Sequence, residues 1–107
     1  MKNSAHILGS ILNKEDTIIY SPRKTGKTTF LCSICTDLTK KGFKTLLFVP
    51  KKDFPVNTKA TKIFFNQKAL YVVPYSFDYL LLDDSYFISD MNKIKKKFNG
   101  SCIVSIN

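Results

Sequence analysis

The chain holds a single arginine (Arg23), a single glutamate (Glu15) and a single histidine (His6) among its 107 residues. Each scarcity excludes something. With one histidine and three cysteines (Cys32, Cys35 and Cys102), no second Cys/His pair exists to complete a zinc site around the formal CxxC at residues 32–35. An odd cysteine count argues against a disulfide framework, and the spacing falls inside a predicted helix, so these thiols read as small buried helix residues. No apolar run approaches the length that spans a bilayer. Met1-Lys2-Asn3-Ser4 lacks the long apolar stretch of a signal peptide. The expectation is a soluble, cytoplasmic protein with no membrane partner.

The scarcity of arginine also colours the charge. The formal net charge is +9, from 17 basic and 8 acidic residues, and nearly all the basicity is lysine. Such a balance suits an anionic partner, with DNA, double- or single-stranded, the first candidate. It equally describes a solvated lysine-rich surface, because lysine lacks the planar fork with which arginine reads phosphates and bases.

What is present is enough for one modest core. The chain is 44% hydrophobic and 13% aromatic, and its length suits a single domain over residues 1–107, with no lid or nuclease domain. Ser4 to Lys14 reads as a short helix with Ile7, Leu8, Ile11 and Leu12 at helical spacing. Thr17 to Tyr20 is β-rich. A helix is predicted from Lys27 to Lys41, stopping at Gly42. Lys44 to Val49 reads as a strand closed by Pro50. The stretch from Lys51 to Gln67 gives no clear signal beyond a short element within 59–65. Ala69 to Val73 and Tyr79 to Asp83 read as strands, Ser89 to Phe98 as a helix, and Ser101 to Ile106 as a last strand. Strands alternating with helices predict an α/β fold of three layers, with a mainly parallel, minimal sheet of about four to five strands.

The chemistry centres on Ser21-Pro22-Arg23-Lys24-Thr25-Gly26-Lys27-Thr28-Thr29. This is the phosphate-loop pattern G-x-x-x-x-G-K-[ST] with Ser21 in place of the first glycine. Gly26 permits close backbone approach to phosphates. Lys27 carries positive charge to the β- and γ-phosphate oxygens, and Thr28 offers a hydroxyl to Mg²⁺. The following helix aims its unpaired N–H groups at the anion. A β run before the loop and a helix after it supply the context that the pattern requires. The expected ligands are ATP, or another NTP, and Mg²⁺; no base-recognition motif separates ATP from GTP.

A phosphate loop of this kind needs a carboxylate at the end of another core strand. Leu80-Leu81-Leu82-Asp83-Asp84 supplies it: Asp83 for Mg²⁺, and Asp84 where many ATPases carry a glutamate that activates water. Aspartate is one methylene shorter, so the water can be misplaced by about an ångström, a displacement that can cost about 10²-fold in rate. Arg23, four residues before Lys27, either neutralises transition-state charge or solvates the loop rim. Ser105 and Asn107, at the tip of the last strand, are candidate sensors of the γ-phosphate.

The order of phosphate loop (Walker A), acidic strand (Walker B) and polar strand tip resembles additional-strand (ASCE) P-loop NTPases. It looks most like the ATPase domain of phage and herpesvirus terminase large subunits, which often lack the first glycine and carry an arginine four residues before the lysine. Residues 80–87 resemble their acidic motif, and Ser105-Ile106-Asn107 loosely resembles their coupling motif. Superfamily 1 and 2 helicases share the layout. The specific likeness is confined to residues 20–30 and 79–87. Asp84 departs from the family's glutamate, the segment before the acidic strand is short, and the chain stops where the family adds a strand. The resemblance implies a reduced, stand-alone relative, viral in kind and then acting in the host cytoplasm. Two functions follow: a slow Mg²⁺-dependent ATP hydrolase acting on DNA, or a nucleotide-dependent binding module regulating a nucleic-acid or protein partner. A partner or a second copy of the chain that completes the site fits either.

Overall fold

The structure is a computed structural model, and it describes residues 9–19, 27–50, 58–73, 76–83 and 91–106. Its centre is β4, Tyr79–Asp83, in which every residue is buried. Four consecutive large apolar side chains, Tyr79 to Leu82, leave no face for water, and such a strand is stable only with layers on both sides. β4 pairs with β2 (Thr45–Phe48) on one side and β5 (Cys102–Ile106) on the other, parallel to both. β1 (Thr17–Ile19) extends the sheet beyond β5, and β3 (Lys62–Phe64) extends it beyond β2. The result is a five-stranded, all-parallel sheet in the order β1-β5-β4-β2-β3.

The pleat sorts the core into two layers. Leu47, Val49, Tyr79, Leu81, Cys102, Val104 and Ile106 face α1 (Lys27–Lys40), together with Ile11 from a helical turn at residues 9–12. Leu46, Phe48, Leu80, Leu82 and Ile103 face α2 (Gln67–Val72) and α3 (Met91–Lys97), represented in the core by Leu70 and Ile94. Alternation of side chains along β2, β4 and β5 therefore builds both cores from the same three strands, while β1 adds Ile19 to the core under α1 alone. The Tyr79 hydroxyl donates to the Ile11 carbonyl at 2.9 Å, tying the turn at 9–12 to the middle of the sheet.

One expected strand is a helix. Ala69 to Val73 reads as a strand because five apolar or aromatic residues in a row carry no period. The chain instead forms α2 there. Asn66 caps it, its side chain accepting from the Lys68 amide at 2.9 Å, and Gln67 Nε2 donates to the Tyr71 hydroxyl one turn on. In the unassigned stretch, β3 lies where only a short element was expected. The first helix also ends earlier than Lys14: helical residues run from 9 to 12, and Lys14 has a positive φ of 58°. Residues 4–8 of that prediction, and Tyr20, lie outside the described residues.

The two helix ends before β1 and β2 use the same device. At α1, the Gly42 amide donates to the Thr39 carbonyl and the Phe43 amide to the Leu38 carbonyl, with Gly42 at φ 94°. At the helical turn, the Lys14 amide donates to the Ile11 carbonyl and the Glu15 amide to the Ser10 carbonyl. Both are left-handed C-caps, one closed by glycine and one by lysine. A side chain pays a steric penalty there that glycine avoids. Lys14→Gly should therefore stabilise the fold by roughly 0.5–1 kcal/mol, and Gly42→Ala should destabilise it by about 1 kcal/mol. Urea unfolding of both variants checks the opposite signs; a loss in both would show that the left-handed turn at Lys14 is not strained.

Candidate functional site

In a parallel sheet with helical crossovers, the strand ends that feed into helices form a common edge where ligands bind. β1 runs toward that edge, the segment 20–26 follows, and α1 begins at Lys27. α1 then runs back across β5, β4 and β2, so its first turn sits above the end of β4.

The geometry brings Thr28 and Asp83 together there. Thr28 is the second residue of α1 and Asp83 the last of β4, 55 residues apart in sequence. The Thr28 hydroxyl donates to Asp83 Oδ2 at 2.8 Å, and both residues are buried, at 6% and 0% exposure. The pleat explains the meeting. Tyr79 and Leu81 face α1, so Asp83, two residues further, faces it as well. Burying a carboxyl group is costly unless it is hydrogen-bonded, and the helix start supplies the bond.

The other expected site residues divide. Lys27 opens α1, and Thr29 is exposed in its first turn. Ser21, Pro22, Arg23, Lys24, Thr25, Gly26, Asp84 and Asn107 lie outside the described residues. Ser105 is buried on β5, in register with Leu82 on β4 and Ile18 on β1. Its neighbours Val104 and Ile106 belong to the core under α1, whereas Ile103 belongs to the core under α2 and α3. By alternation, Ser105 lies on the face opposite Thr28 and Asp83. A strand tip and a pleat face are separate pieces of information, and sequence position gives only the first.

Sequence reasoning missed the side chains that hold α1 in place. Thr36 shares a hydrogen bond with Thr58 at 2.8 Å, and Thr58 donates to the Cys32 carbonyl. Thr39 shares one with Thr45 at 2.7 Å and reaches the Lys59 carbonyl at 3.0 Å. Thr45 and Thr61 exchange amide-to-hydroxyl bonds across β2 and the start of β3. The signal was the three-residue spacing of Thr36 and Thr39 on one helix face, matched by Thr58 and Thr61 across from it.

The cysteines belong to the core. Burial pushes the Cys32 thiol up to about 11, with Cys35 and Asp83 adding to the shift. Burial raises Cys35 too, partly opposed by hydrogen bonding with Thr45, Thr58 and Thr39. Cys102 is also pushed up to about 11 by burial, and Asp16 adds to it. Among the described residues no group of three or more His, Cys, Asp or Glu side chains is arranged to hold a metal ion. None of the described helices is long and apolar enough to cross a membrane.

Two measurements test this geometry. Thr28→Val removes one donor from a buried carboxyl group and should cost about 1.5–3 kcal/mol in urea unfolding; a loss under 0.5 kcal/mol would mean that the bond carries no net stability. The thiols are bound as neutral groups, with folded values above the ordinary 9.0. Their contribution to stability is therefore complete below pH 9 and is lost as pH rises from 9 towards about 11. At pH 8 the native protein should resist iodoacetamide, and all three thiols should react once urea unfolds it.

Comparison with protein-family models gives no match, and comparison with curated protein sequences gives none either.

Proposed function

We propose that the chain is a small Mg²⁺-dependent NTPase of the additional-strand P-loop class, with ATP as the first candidate nucleotide. The observation that carries this reading is the buried Thr28–Asp83 hydrogen bond between the first turn of α1 and the end of β4. A lysine-threonine pair opening a helix beside an acidic strand end is the arrangement that phosphate and magnesium binding require. The strand order supports it as well: β5 lies between β1, which leads to the loop, and β4, which carries the acid.

The donor set fits the ion. Thr28 and Asp83 offer hard oxygen atoms only, and Mg²⁺ is commonly held by one or two protein oxygens with phosphates and waters completing its shell. When bound, the ion would neutralise charge developing on the phosphate oxygens. The chain's own residues do the rest. Backbone amides of the loop and the start of α1 cradle the phosphates. Lys27 holds the β- and γ-phosphate oxygens. Asp84 accepts a proton from the attacking water as its oxygen bonds to the terminal phosphorus and the bridging P–O bond breaks, leaving NDP and phosphate. Arg23 faces the charge that grows on that phosphoryl group. Ser105, on the opposite pleat face, is a packing residue in this scheme.

A second reading keeps the nucleotide site without significant turnover, as a switch for a partner. It is favoured by Asp84, which stands where a longer glutamate would reach the water more readily. Turnover of Mg·ATP by the purified chain, with and without double-stranded DNA, is the first test. Lys27→Ala should abolish both tight binding and turnover; turnover that survives this change would sink the phosphate-loop assignment. Asp84→Glu separates the two readings. A gain of about tenfold or more in hydrolysis would identify Asp84 as a damped base. Tight binding with no turnover in either form would favour the switch.

A further inference from the structure

The opposite end of the sheet carries a different chemistry. A cavity of about 180 Å³ opens there, lined by Lys44, Thr61, Lys62, Ser76 and Phe77. Lys44 precedes β2, Thr61 precedes β3 and Lys62 begins it, and Ser76 and Phe77 precede β4. Because the strands are parallel, all five residues lie at the strand starts, away from Thr28 and Asp83. Phe77 belongs to the core under α2 and α3, so the cavity opens on that side.

More positive charge gathers at the same end. α1 finishes there with Lys40 and Lys41, and α3 finishes there with exposed lysines at 95, 96 and 97. Two of the carboxylates nearby are engaged by backbone. Asp78 accepts from the Lys44 amide at 2.8 Å, and Asp16 accepts from the Ile103 amide at 2.9 Å. Each holds the start of a strand, and the Lys97 ammonium lies over the Phe98 ring, 5.9 Å from its centre.

We propose that this end binds single-stranded nucleic acid, with one nucleotide unit seated in the cavity and neighbouring phosphates on the lysines at the ends of α1 and α3. The cavity is smaller than the roughly 300–1,000 Å³ that encloses a whole small-molecule ligand. It suits one unit of a polymer whose other charges lie on the surrounding surface. Lys44 and Lys62 meet a phosphate, the Thr61 and Ser76 hydroxyls meet a sugar or base edge, and Phe77 supplies an apolar floor. A duplex keeps its bases stacked inside, whereas a single strand can turn one outward. The site is independent of the nucleotide reading and needs no ATP.

The test is anisotropy of a labelled oligothymidine with the full chain, in EDTA and without nucleotide, so that failure of the NTPase reading leaves it untouched. Lys44 and Lys62 are exposed, so Lys44→Ala/Lys62→Ala should fold, with circular dichroism as the check. The double variant should lose affinity on the order of tenfold, and the slope of log K against log salt should fall by about 0.7, for the one phosphate that the two lysines share. Unchanged affinity and slope would overturn the proposal. So would binding to phosphatidylserine vesicles in the absence of oligonucleotide binding, which would identify a membrane surface. Should the double variant misfold, photocrosslinking of the native chain to a 4-thiothymidine oligonucleotide decides. Crosslinks in residues 58–64 or 76–78 support the site, and crosslinks confined to other segments refute it.

Discussion

The hydrogen bond from Thr28 to Asp83 is the constraint on which the arrangement of the site depends. It joins the start of the helix that follows β1 to the end of a strand two positions away in the sheet. Both groups are buried, so neither can fall back on water if the helix shifts. β5 lies between β1 and β4 in the sheet. That spacing carries α1 diagonally over the sheet centre, where its first turn meets β4. The apolar run from Tyr79 to Leu82 keeps β4 central, and the pleat then aims Asp83 at α1 and away from α2 and α3. One acidic side chain is thus positioned by the hydrophobicity of the four residues before it.

The threonine network secures the other half of α1. A helix of 14 residues is about 21 Å long, and a bond at one end does not fix the other. Thr36 and Thr39 fasten its second half to the segment that begins at Thr58, and Thr45 brings β2 into the same network. Hydroxyls suit this task because each can donate and accept: Thr58 donates to the Cys32 carbonyl, and the single Thr39 proton is shared between the Cys35 and Lys59 carbonyls. The two cysteines between Thr28 and Thr36 fill the remaining space as small apolar groups. Their raised thiol values are a consequence of the burial that makes them useful for packing.

Sequence was most informative where local pattern and tertiary role coincide. β4 was legible because four consecutive large apolar residues demand burial on both faces, and the α1 stop was legible because Gly42 can take a left-handed φ without strain. The pairing of Thr28 with Asp83 was legible as a pattern, since threonine after lysine and aspartate after a leucine run each have a chemical reason. Residues 69–73 misled because an unbroken apolar run has no period, and the decisive signal, Asn66 as a cap, lay just before it. The face of Ser105 was not legible at all. It depends on the register of β5 against β4, and register is fixed by the pairing of whole strands. The basic cavity escaped for the same reason: Lys44, Lys62 and Phe77 meet only once three strands are aligned.

α1 links the two ends of the sheet physically. Its first turn holds Thr28 beside Asp83, and its later turns hold the segment from Thr58 that leads into Thr61 and Lys62 at the cavity. A helix hydrogen-bonded along its length moves as a unit more readily than it deforms. Any ligand that displaced its N-terminal turn would therefore press on the cavity wall through Thr36 and Thr39. By linkage, occupancy of the cavity would act on the first turn with equal coupling energy. The size of that coupling depends on whether α1 has a second packed position over β5, β4 and β2. Its large core side chains, Leu31, Ile34 and Leu38, are all buried against the sheet, which favours discrete shifts over gradual sliding.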